Sequence, residues 1–333
     1  MKHPQGDTES PALAERAQVW SRYWAHGAGH SVAGSFGERY EGAIGAWWQQ
    51  VFAASPSAGA VLDLATGSGA LLRLGLDHAP ASVSFDGVDL AQVAPVWVAE
   101  LPPQDSARVR VHSGVRTEQL PFADHRFNLV TSQFGIEYTD LERSMAEVRR
   151  VLRPDGALRF VLHHAGSRTP ELAQAELRHI DWLLAPEGLL QTVKQLAEPF
   201  SRTATLAGRA HLARDPHANA LRDRFNQLQD ERAQLAASSI CPDVLGQASD
   251  AVSQVLMAAA ERGAAAGVDL ATAFGQGLVD SRLRLHELVH HALDASGLML
   301  LSDRLQASGM RVETGELHER EHLMAWWLRA DPR

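Results

Sequence analysis

The stretch VLDLATGSGALL, residues 61–72, sets an apolar run carrying Asp63 against a turn holding Gly67 and Gly69, then resumes with helical spacing. AVLDLA (60–65) is expected to form a buried strand, and a helix is expected from about Ala70. The two glycines let the chain turn tightly and let a ligand approach the backbone without an intervening side chain. The helix that follows offers unpaired amides at its start, which suit a carboxylate. The nicotinamide fingerprint G-x-G-x-x-G fails, because its third position falls on Leu72. Asp63 also sits poorly beside a diphosphate. An acid at the strand end and free amides in the turn suit a ligand that presents an ammonium and a carboxylate.

Working outward, the pattern repeats. VSFDGVDL (83–90) reads as a second strand ending in Asp89, with a helix expected from about Ala91. An acidic residue some twenty positions after the first strand is placed to accept ribose hydroxyls, and Asp89 is equally placed to cap that helix. RVRVHS (108–113) and FNLVTSQF (127–134) read as strands three and four, followed by a helix over about 141–152. Arg149, Arg150 and Arg153 close that helix, Pro154-Asp155-Gly156 turns the chain, and ALRFVLHH (157–164) is the fifth strand. Strand and helix in alternation predict a parallel sheet covered on both faces.

The flanks read differently. Residues 1–57 are expected to be helical and aromatic. Val19, Trp20, Tyr23 and Trp24 form one periodic run; Phe36, Tyr40, Ile44, Trp47, Trp48 and Phe52 form another, with a loop over 27–35 between them. Residues 167–297 show helical spacing and no convincing strand, with breaks expected near Pro186, Pro199, Pro216, Pro242 and Gly267. A helix (298–309) and an antiparallel strand pair (310–317 and 322–330) complete the sheet. The expected organisation is therefore 1–57 as an N-terminal lid, 58–166 with 298–333 as the core, and 167–297 as an insertion that caps the acceptor or mediates homodimerisation.

Composition narrows the function classes. The 333 residues carry a formal charge of -9, which disfavours a nucleic-acid partner. One cysteine, Cys241, excludes an intrachain disulfide and a multi-cysteine zinc site. Met1 to Leu13 lack the apolar core of a secretory signal, and no stretch approaches the roughly 18–20 apolar residues of a membrane span, so a cytoplasmic location is expected.

These motifs, in this order, resemble those of the class I, Rossmann-like, S-adenosylmethionine (SAM)-dependent methyltransferases. VLDLATGSGALL resembles the family's first motif, with Ala65 where glycine is commoner. VDL (88–90) resembles its ribose motif, TEQLPFADHRFNLVTSQFGIEY (117–138) its adenine-side loop and fourth strand, and AEVRRVLRPDGALRFV (146–161) its helix-turn-strand. Residues 298–330 fit the closing helix and strand pair. The resemblance implies an α/β fold with a Rossmann-like, seven-stranded, mostly parallel sheet and an antiparallel closing strand. It also implies SAM as cofactor and methyl transfer to a small-molecule O or N acceptor. The implied cofactor residues are Asp63, Ala65, Gly67, Gly69, Asp89, Leu90, Thr117, Glu118 and Gln133, with Tyr40 reaching in from the lid. Many relatives carry an aspartate where Arg116 stands; a guanidinium accepts no hydrogen bond, so Thr117, Glu118 or a backbone carbonyl is expected to meet the adenine.

Methyl transfer from a sulfonium asks chiefly for alignment and exclusion of water, with a base where the acceptor must lose a proton. The candidates at the strand ends are Glu137, His163 and His164, the histidines being preferred because a neutral imidazole is available near pH 7. His26 and His30, in the loop between the first two helices, are weaker candidates. Two rival readings remain. One is a SAM-binding protein without turnover. The other is a zinc hydrolase, since His286-Glu287-Leu288-Val289-His290 matches H-E-x-x-H, as does His318-Glu319-Arg320-Glu321-His322. Sixteen histidines and 40 acidic residues make chance matches unsurprising, and no metal site is expected.

Overall fold

The computed structural model describes residues 11–28, 40–55 and 58–333. The expected loop at 27–35, with His30, and the start of the second aromatic run at Phe36 lie mostly or wholly outside the described residues.

Seven strands form one sheet: β1 (Gly59–Leu64), β2 (Val83–Asp89), β3 (Val109–Ser113), β4 (Phe127–Gln133), β5 (Leu152–His163), β6 (Met310–Glu319) and β7 (His322–Pro332). Their spatial order is β3-β2-β1-β4-β5-β7-β6. β1 to β5 pair in parallel, while β7 runs antiparallel to both β5 and β6. The fold is the Rossmann-like α/β sheet with an antiparallel closing strand.

Alternation along the strands distributes the core over two faces. Leu62, Leu64, Val130, Leu158 and Phe160 meet Met145, Val148, Leu301 and Leu305 on one side. Val61, Phe85, Leu129 and Val161 meet Ile44, Trp48, Phe52 and Leu72 on the other. The near-continuous burial of β1, β2 and β4 follows from having both faces covered. Helices α1 (Pro11–Ala25), α2 (Gly42–Ala53) and α3 (Ala70–His78) come from the first half of the chain. The helix Leu141–Val151 is capped by Asp140, whose carboxylate accepts from the amides of Glu142 and Arg143, both at 3.1 Å.

Four expectations need correction. No helix starts at Ala91; only single turns form, at Val96–Ala99 and Pro103–Ser106. Pro95, Pro102 and Pro103 interrupt the segment, since proline lacks the amide donor and biases the residue before it away from helix. The turn at Pro154-Asp155-Gly156 is instead a wide bulge inside β5: the register jumps from Phe127↔Leu152 to Leu129↔Ala157. The closing helix spans Ala295–Ala307, starting earlier than expected because Asp294 caps it through the Gly297 amide at 2.8 Å. In the 167–297 segment, Pro199 sits inside a helix and Gly267 breaks nothing; the break falls at Gly263, with φ +94°.

The chain divides into two compact units, Met1–Pro170 with His290–Arg333, and Glu171–Val289. The second is helical throughout its regular structure, with a core of Ile180, Leu183, Val193, Leu245, Val255 and Leu278. In the first unit the two chain connections meet: His163 O accepts from Leu293 N, and Leu293 O accepts from Ala165 N, both at 2.9 Å. No helix among the described residues is long and apolar enough to cross a membrane.

Candidate active site

The turn after β1 is built on left-handed backbone. Ala65, Gly67 and Gly69 have φ of +52°, +53° and +73°. Glycine adopts this region at little cost, whereas Ala65 carries a penalty of about 1–2 kcal/mol. Opposite Ala65, after β4, Gly135 has no room for a side chain: a Cβ there would stand 2.5 Å from Ala65 Cβ. The turn is pinned to β2 by Thr66 N donating to Val88 O at 2.9 Å. It leads into α3, whose N-cap Gly69 supplies no side-chain acceptor to the first amides.

Two carboxyls flank this turn. Asp89 accepts from Gly67 N and from Ala91 N, each at 2.8 Å. Without a helix at Ala91, it caps none. Asp63 is 2% exposed and accepts from Thr131 Oγ1 at 2.8 Å. Burial pushes Asp63 up to about 7 and Asp89 up to about 6, because desolvation disfavours the charged form. Burial, and next the charge of Asp63, push the Tyr40 phenol well above its ordinary range. Gln133 accepts from Trp48 Nε1 and leaves its buried amide nitrogen without a partner.

These groups meet in a cleft at the carboxyl ends of the strands, enclosing about 970 Å³ counted out to its open mouth. Of the expected residues, Asp63, Ala65, Asp89, Leu90, Thr117, Glu118, Gln133 and Tyr40 line it. Gly67 and Gly69 lie in the turn beside it. Arg116 lines it too, its Nε 3.6 Å from Glu118 Oε2. The sequence reading did not single out Arg16 or Leu13 of α1, nor Phe134 and Tyr138 after β4, all of which line the cleft. The signal for α1 was its aromatic stripe, read as a lid, and Trp20 and Trp24 of that stripe do line the cleft. A Cβ on Gly67 would stand 2.5 Å from Trp24 Cζ2, so the indole packs directly on the turn. Ser21 Oγ of α1 accepts from Gln92 N at 2.8 Å, and Arg16 Nη1 donates to Tyr138 O at 3.0 Å.

The preferred bases stand elsewhere. Neither His163 nor His164 lines the cleft. His163 is 1% exposed, stacks on Phe134 with ring centroids 4.2 Å apart, and has no partner for either ring nitrogen. Burial pulls it down to about 3, too low for a base working near neutral pH. His164 stacks on Trp326 at 3.9 Å, accepts from Gly166 N at 2.8 Å and faces Glu316. Glu137 is buried behind the wall: Oε1 accepts from His163 N at 2.9 Å, Oε2 has no partner, and burial pushes the carboxyl up to about 7. His26 is exposed and bonded to Arg22 O.

His286, Glu287 and His290 share the helix Ala264–His291, but among the described residues no three metal-ligating side chains are gathered. The second match is split between strands, with His318 in β6 and His322 in β7. Its glutamate serves the fold, since Glu319 Oε2 accepts from Ala43 N at 2.6 Å, at the start of α2.

Comparison with known proteins agrees with this geometry. Residues 61–156 match a family model described as a methyltransferase domain. The chain is 33% identical over 139 residues to a malonyl-[acyl-carrier protein] O-methyltransferase of Pseudescherichia vulneris, covering 40% of this chain and 52% of that protein. It is 35% identical over 107 residues to a ubiquinone/menaquinone biosynthesis C-methyltransferase of Citrifermentans bemidjiense, covering 30% and 43%. The solved YcgJ protein of Bacillus subtilis aligns at 26% identity over 42% of this chain and 58% of that one, with a TM-score of 0.32. The chain thus spans about half the length of the curated relatives it matches. Residues 61–156 thus match a methyltransferase domain and lie within the Rossmann-like sheet described above.

Proposed function

We propose that the protein transfers a methyl group from SAM to a small-molecule acceptor in the cleft at the carboxyl ends of the strands. The observation that carries this reading is the pair of buried carboxyls, Asp63 and Asp89, on either side of an open glycine turn. Two desolvated acids beside uncapped helix amides are costly in themselves. A ligand with a cationic group, a carboxylate and a diol offsets that cost, whereas a diphosphate would add to it. The residues therefore fit SAM.

In this reading Asp63 attracts the ammonium, the amides that open α3 meet the carboxylate, and Asp89 accepts the ribose hydroxyls. Leu90, Thr117 and Glu118 border the adenine, while Tyr40 and Gln133 close the cleft on the other side of Asp63. SAM supplies a methyl group already activated on a sulfonium. The residues of the chain hold the acceptor in line and exclude water, through Trp20, Trp24, Phe134 and Tyr138. The two relatives are named as an O- and a C-methyltransferase, so their names leave the acceptor atom open.

Methyl-labelled SAM incubated with the protein and fractionated cell extract tests the reaction. Label entering a small-molecule fraction supports it. Tight SAM binding with no transfer to any fraction would favour a binding protein without turnover.

A further inference from the structure

The glycine turn after β1 is held by a residue that does not itself line the cleft. Trp97 Nε1 donates to Ser68 O at 2.8 Å. A Cβ on Gly69 would stand 3.0 Å from Trp97 Cζ2, so the indole packs on the turn as well as bonding it. Trp97 sits on the single turn Val96–Ala99 that the prolines leave in place of a helix. Pro95, just before it, also packs on Gly69, with Cγ 3.6 Å from the same Cβ position.

The bond matters for the peptide it holds. In a trans peptide the carbonyl and the N–H point opposite ways. The Ser68–Gly69 peptide is held at both ends: its oxygen by Trp97, and its N–H, on Gly69, by Thr66 O at 2.8 Å. Gly69, at φ +73°, tolerates either orientation of that peptide, so the local backbone does not choose between them. The indole does, because its nitrogen is a donor only and can hold the carbonyl but not the N–H. The amides that follow open α3, whose first helical bond runs from Arg73 N to Gly69 O at 3.0 Å. A Ser68 oxygen released from Trp97 and turned to the cleft would set a lone pair against a carboxylate bound at those amides.

We propose that Trp97 is a positioning residue for the carboxylate of the cofactor. Its indole N–H fixes the Ser68–Gly69 peptide so that the start of α3 presents amides, and not the Ser68 oxygen, to the ligand. This rests on the cofactor reading above. Trp97 acts through the turn and touches neither cofactor nor acceptor.

The test is calorimetric titration of the full chain with two ligands, S-adenosylhomocysteine and 5′-methylthioadenosine. The second keeps the adenosine and the sulfur but lacks the amino-acid end. Trp97→Phe and Trp97→Met keep apolar bulk against Gly69 and lose the donor. Each should weaken S-adenosylhomocysteine by about three- to tenfold, the change that one net hydrogen bond gives, and leave 5′-methylthioadenosine within about twofold. Unchanged affinity for both ligands would overturn the inference. So would an equal loss for both ligands in both variants, which would make Trp97 a support of the fold alone. Failure of the native chain to bind either ligand would overturn the cofactor reading and this one with it.

Discussion

Asp63 shows how much one residue's surroundings decide. As the acid at the end of the first strand it was legible from the motif, because its place relative to Gly67 is set within a few positions of chain. Its ionisation was not legible, since it depends on burial. Held up to about 7 in the folded protein and close to 3.8 in the unfolded chain, the carboxyl is largely protonated in mildly acid solution. A ligand ammonium favours the ionised form, so binding must expel a proton below neutrality. SAM affinity should therefore rise from pH 5.5 to 7.5, by at most about tenfold per pH unit for one such group. Asp63→Asn should weaken binding and reduce that rise to the part that Asp89, held up to about 6, contributes at the acid end; titrations across the range will show either slope. His163 and His164 show the opposite case. Being near the carboxyl end of β5 made both look available to a ligand. Which way each imidazole turns is settled by Phe134 and by Trp326, the latter 162 positions away, and no local pattern reveals such partners.

At the scale of elements, the strands were readable because burial on both faces demands near-continuous apolar runs. Helix ends were readable where a cap lies nearby in the chain, as with Asp140. They were not readable where proline overrides periodicity, as after Ala91, or where the cap comes from afar. Helix α2 is of the last kind: Glu319, from β6, accepts the amide of Ala43 and supplies the negative charge that a helix N-terminus favours. A Cβ on Gly42 would stand within van der Waals overlap of the same carboxylate, so the fit is close. Glu319→Ala should cost about 1–2 kcal/mol of stability, read from urea unfolding midpoints, while Glu321→Ala, with no such bond among those described, should cost less than about 0.5 kcal/mol. This assigns the glutamate of the second H-E-x-x-H to capping rather than metal chemistry.

Across the whole molecule, the sequence marked a helical segment between the fifth strand and the closing pair, and the structure describes a unit at Glu171–Val289. The proposed cofactor residues, from Tyr40 to Gln133, all belong to the first unit. Because the chain leaves and returns side by side at His164 and Leu293, replacing residues 171–289 with a short linker should leave a folded sheet. SAM affinity should then stay within about threefold of the full chain, a difference below 1 kcal/mol. Circular dichroism and calorimetry on the shortened chain check both expectations.

The cofactor assignment is tested most directly by calorimetric titration of SAM into the full chain and into two variants, Asp89→Ala and Gly67→Val. The native chain should bind one equivalent. Asp89→Ala should lose about 10- to 100-fold in affinity, since charge-assisted bonds to the ribose are worth roughly 1.5–3 kcal/mol. Gly67→Val places a branched side chain at positive φ against Trp24 and should bind no better. Affinity unchanged in both variants, or a dinucleotide binding in place of SAM, would contradict the account.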